Sequence, residues 1–207
     1  MLFQSQSPCF LLLLLSFLFT QAQADRKIIG YQKLTRAKAL AVNRNNIPYD
    51  QQRVGGKKKF IAVSNESGLG GAANDWPCVV KADANKFDRN PKIWVPERYN
   101  NLPHEGILRP FTTLWGNESA QLTYIQAVFP EVEPLDVVRF TRSRDDNPPM
   151  VAMLFPPVML RVNELDFWAE CFETIGGLYS AYPNDPSVSW RSWGIQGDPG
   201  APLDFEF

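Results

Sequence analysis

The chain has 207 residues, 44% hydrophobic and 21% charged, with a formal net charge of −1 and a single histidine. One histidine excludes a histidine-rich metal site, and near-neutral charge excludes a protein that binds nucleic acid through a strong overall field. The small total conceals two opposed regions. Asp25 to Lys59 carries ten Lys or Arg against two acids, a net of +8, whereas Arg161 to Phe207 carries two against eight acids, a net of −6. The basic part has only Tyr31 and Tyr49 as interleaved aromatics, too few for a stacking surface for bases. One basic and one acidic face, or attraction between the two ends, account for the pattern.

Residues 1–24 carry no charged side chain and contain FLLLLLSFLF, Phe10 to Phe19, followed by Ala22-Gln23-Ala24. That apolar run is shorter than the ~20 residues that cross a bilayer, and it ends in the small-X-small pattern of a signal-peptidase site. The expectation is a signal peptide over 1–24 and a secreted protein with no membrane span. Cys9 would leave with the signal, so Cys78 and Cys171 are expected to form one disulfide in an oxidising compartment. Residues 25–180 are long enough for one domain with its own core. Residues 181–207, rich in Pro, Gly and acids, read as an irregular tail.

In chain order, Ile28–Tyr31 reads as a strand that runs into the polar Gln32. At a strand end such a glutamine faces water or belongs to a ligand site. Thr35 then caps a helix over RAKALAVNRN whose apolar face is Ala37, Leu40 and Ala41, with Leu34 flanking it. Pro48 and Gly55-Gly56 bracket a loop before a strand at Phe60–Ser64. Further strands are expected at Trp76–Asp83, Ile93–Pro96, Val137–Arg142 and Met150–Pro157, with a helix at Glu118–Phe129 built on Leu122, Ile125 and Phe129 and capped by Asn117. From Leu165 to Cys171 residues alternate, with Leu165, Phe167, Ala169 and Cys171 inward and Asp166 and Glu170 outward. Short strands with a helix or two define an α+β class, a mixed or antiparallel sheet with helices packed on one side.

His104 lies in a Pro- and Gly-containing loop with no nucleophile motif, and Gly68-Leu69-Gly70-Gly71 lacks the Lys-Ser/Thr of a phosphate loop. Glu131, Glu133, Asp136, Glu164, Asp166 and Glu170 are available for acid/base work, which depends on separations that a sequence does not set. Six tryptophans permit a sugar-stacking surface but fit core positions better. Asn65 and Asn117 each begin an N-glycosylation sequon.

The segments GYQKLTRAKALAVN, FIAVSN, NDWPCVVKAD, PKIWVPERY, VVRFTR, MLFPP and FWAEC occur in that order. Together they resemble the secreted proteins of plant-associated fungi related to heat-labile-enterotoxin-type ADP-ribosyltransferases. That resemblance implies a compact split-sheet domain that binds NAD. The family's first strand ends in Tyr-Arg, where this chain has Tyr31-Gln32. Its second strand carries a Ser-Thr-Ser-like motif, of which Ser64 remains in Ala62-Val63-Ser64. Its catalytic glutamate falls at Ala152, in AMLFPP. A glutamine lacks the fixed positive fork that holds a pyrophosphate. An alanine offers nothing to a developing oxocarbenium ion.

The resemblance therefore implies a degenerate transferase with no cofactor, a secreted effector that acts by binding a host protein. One alternative is an active ADP-ribosyltransferase or NAD glycohydrolase that uses NAD and takes its acid from Glu164 or Glu170. Another is a secreted carbohydrate-binding or structural module.

Overall fold

In the computed structural model, the described residues are 25–49, 61–64, 72–99, 112–142, 151–184 and 187–197. The expected signal segment, Asn65, the Gly68–Gly71 run, His104 and the turn expected at Asp145–Pro149 lie outside them.

The longest pairing joins β1 (Arg26–Leu34) to β3 (Trp76–Asp83), antiparallel from Arg26 opposite Asp83 to Leu34 opposite Trp76. β1 thus extends well beyond Ile28–Tyr31. A bulge between Ile28 and Gly30 shifts its register, at a residue type without a Cβ to resist the bend. Around this pair are β2 (Ile61–Ser64), β4 (Lys92–Trp94), β7 (Val138–Arg142), β8 (Val151–Phe155) and β9 (Trp168–Cys171). They form a seven-stranded sheet in the order β4-β7-β8-β2-β1-β3-β9, and only the β4–β7 pair is parallel. β5 (Arg98–Tyr99) and β6 (Thr112–Thr113) make a separate two-stranded sheet. The class is α+β with a mixed sheet, as expected.

Alternation along the strands gives each face its own core. One face buries Ile29 and Leu34, Cys78 and Val80, Phe140, Met153 and Phe155 in a single cluster. Ala39 and Val42 of α1 (Arg36–Asn45), Phe87 of α2 (Ala84–Arg89), Met159 of α4 (Pro157–Arg161) and Trp190 close over it. The opposite face is apolar at both ends. Tyr31 and Val79 lie under Leu178 of α5 (Ile175–Ala181), while Ile93 packs with Tyr124 and Ile125 of α3 (Glu118–Val128). Helices therefore cover both faces rather than one, because the apolar ends of the second face also have to leave water.

The disulfide is the expected one: Cys78 and Cys171 are register partners on β3 and β9. The alternation from Leu165 to Cys171 also holds, with Leu165, Phe167, Ala169 and Cys171 all buried. The helical faces differ from expectation. α1 buries Ala39 and Val42 and leaves Leu40 41% exposed, and α3 buries Gln121 and Tyr124 beside Ile125. In α1 the cause is polar. Asn43 and Asn46, at its C-terminal end, hydrogen-bond the outer edge of β9 and set the rotation of the helix.

Three short helices carry no usable periodicity, and local chemistry starts them. Asp83 accepts from Lys86 N–H at the head of α2, and Thr174 accepts from Gly177 N–H at the head of α5. Pro156-Pro157 ends β8 and also begins α4, with Pro157 in the first turn, where a missing N–H costs nothing. Beyond residue 180 the chain returns to the sheet. Trp190 is 3% exposed within the main core and donates its indole N–H to Ile29 O at the β1 bulge (2.9 Å). Gln196 extends the pairing of β4. These residues are irregular in backbone, as their composition suggests, and mostly exposed, with Trp190 as the side chain that anchors them.

Candidate functional site

Register places the positions singled out by sequence. Glu170, Val79, Tyr31, Ser64, Ala152 and Thr141 stand opposite one another in a single row across β9, β3, β1, β2, β8 and β7. Ser64 and Ala152 are direct partners, and Tyr31 is the β1 residue beside them. Gln32 is one residue further along. It pairs with Cys78, shares the face of Leu34, and is 5% exposed. It is thus neither a water-facing strand end nor a neighbour of Ala152 on the same face. Two of the three positions come together in the row and the third turns away from it.

Glu170 belongs to this row but is four strands from Ala152, about 19 Å at one strand spacing per step. Its carboxylate accepts a hydrogen bond from the Tyr182 hydroxyl (3.2 Å). Glu164 is exposed in the turn after α4. Glu170 is too distant to act at Ala152. Burial, followed by the Glu170 charge and hydrogen bond, pushes the Tyr182 phenol up to about 12. Lys81 Nζ lies 4.4 Å from the Tyr182 ring centroid and 5.1 Å from that of Trp168.

Sequence reasoning missed two buried cations. Arg139, on β7, is fully buried, and its Nη1 donates to both carboxylate oxygens of Glu118 (3.0 Å each) and to Gln121 Oε1 (3.2 Å). Burial lowers its pKa, and the Glu118 charge opposes that shift. The pair ties the first turn of α3 to the sheet. Lys92, on β4, donates to the carbonyls of Phe87, Asp88 and Asn90 at the end of α2. Burial pushes it down to about 8, opposed by Asp88 and assisted by Lys27. Nothing in the hydrophobic pattern marks either residue, because a buried arginine and a buried lysine read locally as surface charge.

The remaining candidates resolve more simply. None of the six tryptophans is exposed. Trp115 and Trp190 donate their indole N–H groups to main-chain carbonyls of Val95 and Ile29. Asn117 is exposed and caps α3 by accepting from Ala120 N–H through Oδ1, so the cap leaves its Nδ2, the atom a glycan would occupy, uninvolved. Among the described residues no group of three or more His, Cys, Asp or Glu could hold a metal, and no helix is long and apolar enough to cross a membrane. The Arg26 guanidinium clasps Asp166, with Nη2 at 2.9 Å from each carboxylate oxygen. That pair joins the basic region to the acidic one.

Fold and site together define a disulfide-bonded α+β protein whose central sheet face carries no carboxylate at Ala152. The chain belongs to the family described as a family of unknown function (DUF5910), whose profile matches residues 58–198. The match runs past residue 180 to the segment that carries the buried Trp190 and the Gln196 bridge to β4. No curated protein and no solved structure matches the chain.

Proposed function

We propose that this protein is a secreted effector of the fungal ADP-ribosyltransferase-like type, with a degenerate split-sheet fold, no catalysis and no cofactor, acting by binding a host protein. The observation that carries the reading is the direct pairing of Ser64 with Ala152, with Tyr31 beside them. Ser64 and Ala152 are two of the three positions at which the resemblance would assemble an NAD site, and the third, Gln32, follows Tyr31 and faces the other way. With alanine in place of the glutamate, and with Gln32 buried on the opposite face, the row supplies neither the anion that would steady an oxocarbenium ion nor the fork that would grip a pyrophosphate. The separation of Glu170 from Ala152 speaks against the enzyme alternative, and the half-buried tryptophans speak against sugar stacking.

NAD titration by calorimetry, with an assay of nicotinamide release, tests this on the oxidised protein. Neither heat nor release is the expected result. Release would overturn the reading. N-terminal sequencing of the exported protein should begin at Asp25.

A further inference from the structure

Asn117 begins the sequon Asn117-Glu118-Ser119 and stands where a turn passes into α3. It has four polar groups, and three are committed to the fold. The main-chain N–H donates to Leu114 O (3.0 Å), the main-chain oxygen accepts from Gln121 N–H (3.0 Å), and the side-chain Oδ1 accepts from Ala120 N–H (3.2 Å). That cap sets the orientation of the amide, with Oδ1 turned to the helix and Nδ2 away from it. No group among the described residues accepts from Nδ2, and Asn117 is exposed. The rest of the sequon leaves the space open: the Glu118 carboxylate is drawn to the buried Arg139 (3.0 Å), and Ser119 is exposed.

An N-linked sugar needs only that nitrogen. Nδ2 displaces a lipid diphosphate from the anomeric carbon of a lipid-linked oligosaccharide. The C1–O bond breaks, the diphosphate leaves with the electron pair, one amide proton is lost to water, and an N–C1 bond forms. The amide carbonyl is untouched, so Oδ1 remains an acceptor for the first turn of α3.

We propose that Asn117 carries an N-linked glycan that projects from the head of α3 while the same side chain caps the helix. The proposal rests on the export part of the reading above, because the lipid-linked donor is met only inside the secretory route of a eukaryotic cell.

The full chain is expressed in a eukaryotic secretion host beside a version in which a signal of the host replaces residues 1–24. Both are recovered from the medium and from the secretory membranes. Peptide mass spectrometry is run before and after digestion with an N-glycosidase, which leaves aspartate where a glycan stood. The expected result is a glycan on the peptide that contains Asn117, lost in Ser119→Ala and kept in Ser119→Thr. Ser119→Ala removes the sequon and spares the cap, so it should melt with the deglycosylated protein, whereas Asn117→Ala removes both and should melt lower. Asn117→Asp, which keeps an acceptor, should recover the difference. A glycan only on the version with the host signal would sink the export reading and support this site. An unmodified Asn117 in that version overturns the site, and equal melting of Ser119→Ala and Asn117→Ala overturns the shared cap.

Discussion

The two edges of the seven-stranded sheet are closed by different means. At the β9 edge, a helix does what a neighbouring strand would do. Asn43 donates to Cys171 O and accepts from Cys171 N–H, and Asn46 donates to Ala169 O while its own carbonyl accepts from Ala169 N–H. The Cys78–Cys171 disulfide then ties this edge strand to β3. At the β4 edge, a late segment of chain adds a single bridge: Trp94 N–H donates to Gln196 O (2.7 Å) and Gln196 N–H to Lys92 O (3.1 Å). Gly197 makes the approach possible, since a Cβ there would stand 2.8 Å from both Trp94 O and the Tyr124 hydroxyl, at φ +86°. An open edge is a template for unwanted pairing. One edge is closed by covalent and side-chain contacts from early chain, and the other by a backbone fit that depends on one residue having no side chain.

The largest test of this contrast is the disulfide. The 93-residue separation of its cysteines makes reduction, or Cys78→Ala with Cys171→Ala, cost roughly 4–5 kcal/mol by loop-entropy reasoning. Denaturant unfolding with and without reductant should show it, with amide protection lost first at β9. A cost near zero would assign the edge to the asparagines alone. Gly197→Ala acts on the other edge and is expected to cost roughly 2–3 kcal/mol, since backbone conformation and contact distance both oppose a side chain. Exchange of Trp94 N–H should accelerate while Cys171 N–H stays protected. Asn43→Ala should cost about 1–2 kcal/mol by leaving the Cys171 N–H and carbonyl without their partner. Asn43→Asp keeps the acceptor and should recover part of the loss.

The smallest effects separate the edges by pH. Lys92 beside β4 has a folded pKa near 8, below its ordinary 10.5, so between those values the unfolded chain holds the extra proton and stability rises with pH. Tyr182, which bonds Glu170 of β9, has a folded pKa raised from 10 to about 12, so its contribution is complete below 10 and is lost as pH climbs through 12. Melting temperature against pH should therefore climb and then fall. Lys92→Met should remove the climb, and Tyr182→Phe the fall.

Much of the sheet was legible locally. Trp76–Asp83 is a strand over the expected span, and the inward alternation from Leu165 to Cys171 is the one observed, because a half-buried strand writes its faces into neighbouring residues. The α1 span was also legible, since its residues favour helix, but its buried face was not. The pull of Asn43 and Asn46 on β9 outweighs a stripe of small and medium apolar residues. Arg139 and Lys92 were invisible as buried groups, because their compensating partners come from α3 and from the end of α2.

By itself, the sequence determined the α+β class, the Cys78–Cys171 pairing and the opposition of a basic to an acidic region, all of which follow from composition, cysteine count and short-range periodicity. Tertiary structure alone decided that Ser64 stands beside Ala152 while Gln32 turns away, that Glu170 lies four strands from that point, that Trp190 belongs to the core and that Gln196 bridges to β4. The physical reason is register. A one-residue shift between strands moves a side chain to the opposite face, and register is settled by contacts between residues far apart in the chain.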